Sequence, residues 1–231
     1  MRPNSVLKNP WTLDALPRVK ADSLLPQQHQ TRRKFAVGCD FYVQRFVKYP
    51  DLAMFHSLAE LLFAALLEGD PDVRGFVPQP FLLHVGGKRY TPDFFVQRGA
   101  TQEVVELKAK VSLPEPMEMA LSAFFDLHGM RFFVERNERV MQREQEARNW
   151  LDIVRRLAAN RLLDTSATQM SLWQRFQAEK QMCFSDVVDV SEREASLLAE
   201  IALLTLLHKG RVRTELSKTP LLPDQVFELC T

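Results

Sequence analysis

Two carboxylates and one amine stand close together in the stretch Arg89–Lys110, RYTPDFFVQRGATQEVVELKAK. It reads as two short strands joined by a polar turn at Gln97–Gln102. Alternate side chains of a strand share a face. Asp93 therefore points with Phe95, and Phe94 and Val96 point the other way; Glu106 and Lys108 share a face opposite Val105 and Leu107. If the strands pair across the turn, Asp93, Glu106 and Lys108 meet at one spot. Two carboxylates at a sheet end suit a hard cation such as Mg²⁺, with Mn²⁺ as a substitute, bound partly through water. A lysine beside them can orient a water or offset charge that builds on a phosphate.

The elements that must position these groups follow from the flanking sequence. A helix is predicted over Asp51–Glu68, after Pro50 and with Asp51 as its cap. It is apolar nearly all round through Leu52, Phe55, Leu58, Leu62, Leu66 and Leu67. His56, Ser57, Glu60 and Glu68 are the exceptions, and they read as a narrow solvent-facing stripe. Gly69–Asp72 breaks the helix, and Phe76–Val85 reads as a strand. A Gly86-Gly87 turn hands over to Lys88–Gln97, so that two successive hairpins give a three-stranded meander. Gln79, between Pro78 and Pro80, receives no chemical role and reads as structural. Pro114 and Pro116 close the third strand; a helix over Met117–Leu127, a stop at His128-Gly129 and a strand at Arg131–Val134 come next.

Asn137 caps a long polar helix running to about Asn160, with Ala147, Trp150, Leu151, Val154 and Leu157 as its apolar stripe. Beyond residue 161 the texture changes to helices over Met170–Gln181 and Glu192–His208, the latter ended by Gly210. Arg211–Leu216 alternates like a strand, Ser217–Pro220 turns, and Gln225–Leu229 returns as its partner. Helices followed by a hairpin suggest a winged-helix module. Arg211, Arg213 and Lys218 fit phosphate contact there, and a protein-binding surface fits equally. At the other end, Pro3, Pro10, Pro17 and Pro26 leave no room for a long helix, so residues 1–30 read as an irregular arm. Thr31–Lys34, Arg45 and Lys48 serve either as a solvated charged surface or as contacts to a DNA backbone.

Composition narrows the class. The 231 residues suit one large domain or two small ones, and 46% hydrophobic with 26% charged residues describes a globular chain with ample core material. A formal net charge of +1 supplies no global positive field, so DNA would be held weakly without a partner. Cys39, Cys183 and Cys230 are far apart and form no CxxC, and the histidines show no HExxH spacing. The N-terminus lacks the apolar core of a signal peptide, and the most apolar run, Ala195–Leu207, carries Glu200 and is too short to span a bilayer. The expected location is the cytoplasm.

Pro92-Asp93 followed by Glu106-x-Lys108, set in the order helix, three strands, helix, strand, resembles the PD-(D/E)xK nuclease superfamily. The longer run FHSLAELLFAALLEGDPDV, FVPQPF, RYTPDFFV and VVELK resembles the TnsA family of transposon endonuclease subunits, over roughly Asp40–Arg155. The resemblance implies an α/β (α+β) fold: an αβββαβ endonuclease domain over 39–160, an arm over 1–38 before it, and a C-terminal winged-helix-like docking domain over 161–231. It further implies a Mg²⁺-dependent endonuclease that cuts the non-transferred strand at the 5′ ends of a transposon. Its partners would be double-stranded DNA at those ends, a TnsB-like DDE transposase and a TnsC-like AAA+ ATPase, with no membrane. Asp93 and Glu106 would hold the metal, Lys108 would orient the attacking water, and Glu60 in the first helix would be a third carboxylate. One departure stands out: the TnsA family has Gln-x-Lys where this chain has Glu106-x-Lys108, and glutamate is the commoner choice in the wider superfamily. The alternatives are a stand-alone restriction-type or phage endonuclease of the same fold, and a catalytically silent adaptor between DNA and an ATPase.

Overall fold

Valine and phenylalanine crowd the middle of the chain, and such residues suit a pleated surface buried on both sides. Residues 16–29, 40–109, 113–189 and 191–230 are described by a computed structural model. In chain order they form strands β1 (Val19–Ala21), β2 (Tyr42–Arg45) and β3 (Leu52–Phe55), then helix α1 (Leu58–Gly69). Strands β4 (Val73–Pro78), β5 (Leu83–Val85), β6 (Lys88–Tyr90), β7 (Phe94–Arg98) and β8 (Thr101–Lys108) follow. Helix α2 (Glu115–Leu127) leads to strand β9 (Met130–Arg136) and helices α3 (Asn137–Gln142) and α4 (Glu144–Ala159). The last part holds α5 (Ser166–Glu179), β10 (Gln181–Cys183), α6 (Arg193–His208), β11 (Val212–Thr214) and β12 (Val226–Leu229). The architecture is mixed α/β, with six helices and four small sheets among the described residues.

The largest sheet has the order β4-β7-β8-β9. β7 pairs antiparallel with both β4 and β8, whereas β9 returns through α2 to lie parallel to β8. Phe94 sits opposite Val105, and Phe95 opposite Val104. Alternation then sends Phe94, Val96, Val105 and Leu107 into one apolar cluster, with α1, α4 and Phe76. Phe95 and Val104 enter a second cluster, with Phe81, Leu121 and Phe125. Each fully buried side chain of this size contributes roughly 2 kcal/mol of transfer free energy. The first cluster does not stop at α4: Leu172, Phe176, Ile201, Leu203, Val212 and Phe227 belong to it as well. Close approach makes this continuity possible. A Cβ on Gly69 would lie 2.2 Å from the Trp150 ring, and one on Gly210 2.6 Å from Pro71, so only glycine fits at either contact.

Several sequence expectations change in detail. Residues 52–55 are not helical but form β3, paired antiparallel with β2, and α1 begins only at Leu58. The start is set by Ser57, whose hydroxyl accepts the Glu60 N–H at 3.2 Å as an N-cap. The stripe proposed to face solvent is not one either, because Glu60 is 7% and Glu68 0% exposed. The single strand expected over 76–85 is broken at Gln79, which adopts φ 41°, with Pro80 after it. β5 and β6 thereby leave the main sheet. They turn through Gly86 and Gly87, both at positive φ, and pair with each other, with β1 on the far side of β5. The segment read as an irregular arm thus contributes β1, while the basic run Thr31–Lys34 lies outside the described residues. The long helix after Asn137 is interrupted at Arg143, which separates α3 from α4. The hairpin expected near the C-terminus is present as β11-β12, with β10 as a third strand. Among the described residues no helix is long and apolar enough to cross a membrane.

Candidate metal centre

Asp93 and Glu106 are brought together by register. β7 and β8 pair at Phe94↔Val105, and one further step along the ladder sets Asp93 against Glu106. The Asp93 carboxylate closes that end of the ladder by accepting the Leu107 N–H on Oδ2 at 2.6 Å. Glu106 is 3% exposed, and both of its oxygens are engaged. Tyr90 Oη donates to Oε2 at 2.6 Å, and Lys108 Nζ forms an ion pair with Oε1. The Lys108 side chain is one-third exposed, 33%, and Asp93 and Tyr90 are partly exposed, so the site opens to solvent on that side.

Burial and mutual repulsion set the electrostatics. Burial raises the Asp93 pKa well above the usual carboxylate range, and the charges of Glu106 and Glu60 push it the same way. The Leu107 N–H and Lys108 pull it back only in part. Burial also raises Glu106, against the opposing hydrogen bonds from Lys108 and Tyr90. Tyr90 is raised in turn, by burial first and then by the Glu106 charge, so its proton stays on Oη to serve that hydrogen bond. A divalent cation would relieve the same repulsion without protonating either acid.

Glu60 is placed differently. It sits in the first turn of α1, where Oε2 accepts the His56 N–H and the Gln79 Nε2–H, each at 3.0 Å. Oε1 accepts the Ser57 hydroxyl, also at 3.0 Å. Together with the Ser57 cap this is a variant of the capping box, reciprocal between Ser57 and Glu60. Glu60 is near enough for its charge to act on both Asp93 and Glu106. Among the described residues, however, no three of His, Cys, Asp or Glu converge into a preformed metal cage. The donor set is two carboxylates plus an amine. It fits Mg²⁺, which binds through one or two carboxylates and leaves its other positions to water and substrate phosphate.

Sequence reasoning missed two participants. Tyr90 lies in an unremarkable alternating strand, and its tie to Glu106 depends on where the β5-β6 hairpin folds back. Gln79 did leave a signal: an amide between two prolines in an otherwise apolar run must find partners once buried, and it is 5% exposed. Other candidates are engaged elsewhere. Lys48 is no outward contact, since Nζ donates to the carbonyls of Leu67, Glu68 and Asp70 at 3.1, 2.7 and 2.6 Å, and burial lowers its pKa to about 8. Arg211 lies over the Trp173 ring at 5.6 Å. Arg213 pairs with Glu228 at 2.9 Å, and Arg211, Arg213 and Lys218 are all exposed. Compared with profiles of known protein families the chain matches none, and no curated protein matches it.

Proposed function

We propose that this chain is a divalent-metal-dependent DNA endonuclease of the PD-(D/E)xK type, and within that superfamily a TnsA-like subunit of a heteromeric transposase. The observation that carries the reading is the pairing of Asp93 with Glu106 at one sheet end, both with raised pKa, and Lys108 ion-paired beside them. The order α1, β4, β7, β8, α2, β9, with β9 parallel to β8, supports the same reading, because it is the order such a core requires. A bound Mg²⁺ would supply Lewis acidity toward a phosphodiester oxygen and a more acidic water. Asp93 and Glu106 would hold that cation. Lys108, one-third exposed, would orient the attacking water and offset charge gathering on the phosphate, and hydrolysis would leave a 5′-phosphate and a 3′-hydroxyl. Glu60 supplies fixed negative charge behind Asp93.

Transposon-end DNA as substrate, a TnsB-like transposase and a TnsC-like ATPase as partners rest on the sequence resemblance at FHSLAELLFAALLEGDPDV, FVPQPF and VVELK. The C-terminal helices with the β10-β12-β11 sheet are compatible with a winged-helix docking module. Glutamate at position 106 favours one rival, a stand-alone nuclease of the same core. Strand nicking separates the two. The transposase reading expects Mg²⁺-dependent cuts at transposon 5′ ends only when the transposase and ATPase are added, and none with Lys108→Ala. Robust cutting of plain plasmid by the isolated chain supports the rival. Calorimetry that detects no Mg²⁺ binding would overturn both.

A further inference from the structure

Gln79 is held on four sides. Its N–H donates to the Asp93 carbonyl at 2.8 Å, one register step beyond Pro78↔Phe94, and its own carbonyl accepts the His29 N–H at 3.2 Å. Its side-chain amide donates from Nε2 to Glu60 Oε2 at 3.0 Å and accepts on Oε1 from Gln28 Nε2 at 2.7 Å. Gln28 Nε2 in turn donates to the Met54 carbonyl at 2.7 Å, which fixes that amide against β3. The backbone at Gln79 has φ 41°, a left-handed conformation that a residue with a Cβ rarely adopts. Strain of this kind persists where the surroundings over-determine it, and it gathers at functional sites. A glycine would adopt this backbone without strain but could make neither side-chain contact. The glutamine therefore serves its amide.

We infer that Gln79 is a positioning residue for the metal pair: it fixes the Glu60 carboxylate relative to the strand end that carries Asp93. One side chain and one backbone N–H join α1, β4 and the start of β7, so the spacing between Glu60 and Asp93 is set before a cation arrives. The inference rests on the nuclease reading and extends it to a residue that touches neither metal nor DNA.

Gln79→Gly tests it, since the backbone conformation is kept and only the amide is lost. Thermal unfolding in EDTA should stay close to wild type. Mn²⁺ binding followed by electron paramagnetic resonance should weaken by about tenfold or more, the usual scale for losing an outer partner of a metal site, here the fixed position of the Glu60 carboxylate beside the two cation-holding acids. The Mg²⁺ concentration for half-maximal nicking should rise in step. In a Glu60→Gln background the same change should cost far less, because the partner it positions is already altered. Gln79→Asn tolerates the backbone but is too short to span both contacts, so it should behave like Gln79→Gly. A wild-type chain that binds no Mn²⁺ would sink the nuclease reading and this inference together. Wild type that binds Mn²⁺, with Gln79→Gly matching it within about twofold, would overturn this inference alone. Loss of the fold in both variants would also overturn it, marking Gln79 as a purely structural residue.

Discussion

Acids inside this fold or at its margin fall into two kinds. Glu68 and Glu200 lie at 0% and 2% exposure, yet each is completely partnered. Glu68 Oε1 accepts the N–H groups of Val47 and Lys48 at 2.8 and 2.7 Å, and Oε2 meets His208 Nε2 at 2.6 Å. Burial pushes the Glu200 pKa up, but Arg193 and Arg156 override it and hold the carboxyl below its ordinary value. Asp93 and Glu106 are the opposite case. Each feels the other's charge or that of Glu60, Lys108 pairs with Glu106 alone, and both are raised rather than lowered. The first kind is tied into the fold by its partners. The second, once ionised, weakens the metal-free fold, as the raised pKa values require.

Asp93→Asn should break the contrast most visibly. Cleavage should fall by at least about 10²–10³-fold, the scale of losing one preorganised electrostatic contact. Unlike most mutations at a buried polar site, it should raise the melting temperature of the metal-free protein. The sign follows from linkage: the folded-state pKa of Asp93 lies above its unfolded value, so the native state binds the extra proton. Its contribution to stability is therefore lost as pH rises from the ordinary carboxylate range through the raised value, and Asn removes that loss. Mg²⁺ should raise the wild-type melting temperature and leave Asp93→Asn nearly unmoved.

Glu68→Ala sharpens the other half. It leaves the Val47 and Lys48 N–H groups and His208 without their acceptor, at a cost of about 3–5 kcal/mol in urea unfolding, whether or not Mg²⁺ is present. A smaller effect is expected of Tyr90→Phe. Glu106 keeps Lys108 but loses its second anchor, so the Mg²⁺ requirement for nicking should rise about tenfold with little change in fold. Least of all, Arg213→Ala should change stability by less than about 1 kcal/mol, because its pair with Glu228 is exposed and screened. An equally small change in DNA affinity would fit a side chain already occupied within its own sheet.

Part of this was legible in the sequence. Alternation, with pairing assumed across the turn, put Asp93 near Glu106 and Lys108, and local patterns located β8, β9 and the C-terminal hairpin by alternation and α2 by its helical stripe, each read within a few residues. The start of α1 differs from the expectation because Leu52, Phe55 and Leu58 are spaced like a helix stripe, and the all-apolar run 52–55 carries no polarity alternation to mark it as a strand. The pair Ser57-x-x-Glu60, a capping box, is the local signal that decides between them. Burial of Glu68 could not be read at all, for its acceptor role is satisfied by residues 20, 21 and 140 positions away. Tyr90 is hidden for a similar reason: only the excursion of β5 and β6 out of the main sheet lets it reach Glu106.

The apolar cluster that runs unbroken from Phe46 to Phe227 has a further consequence. The helices α5 and α6 are not beads on a string beside the sheet; they form one wall of the same room. A protease or a gene fusion that severs the chain near residue 160 would lay that wall bare on both fragments, and each would be sticky and poorly folded. Grafting a C-terminal segment from another chain would fail for the same reason unless the facing residues of α1 and α4 were changed with it. The two halves can diverge only in concert.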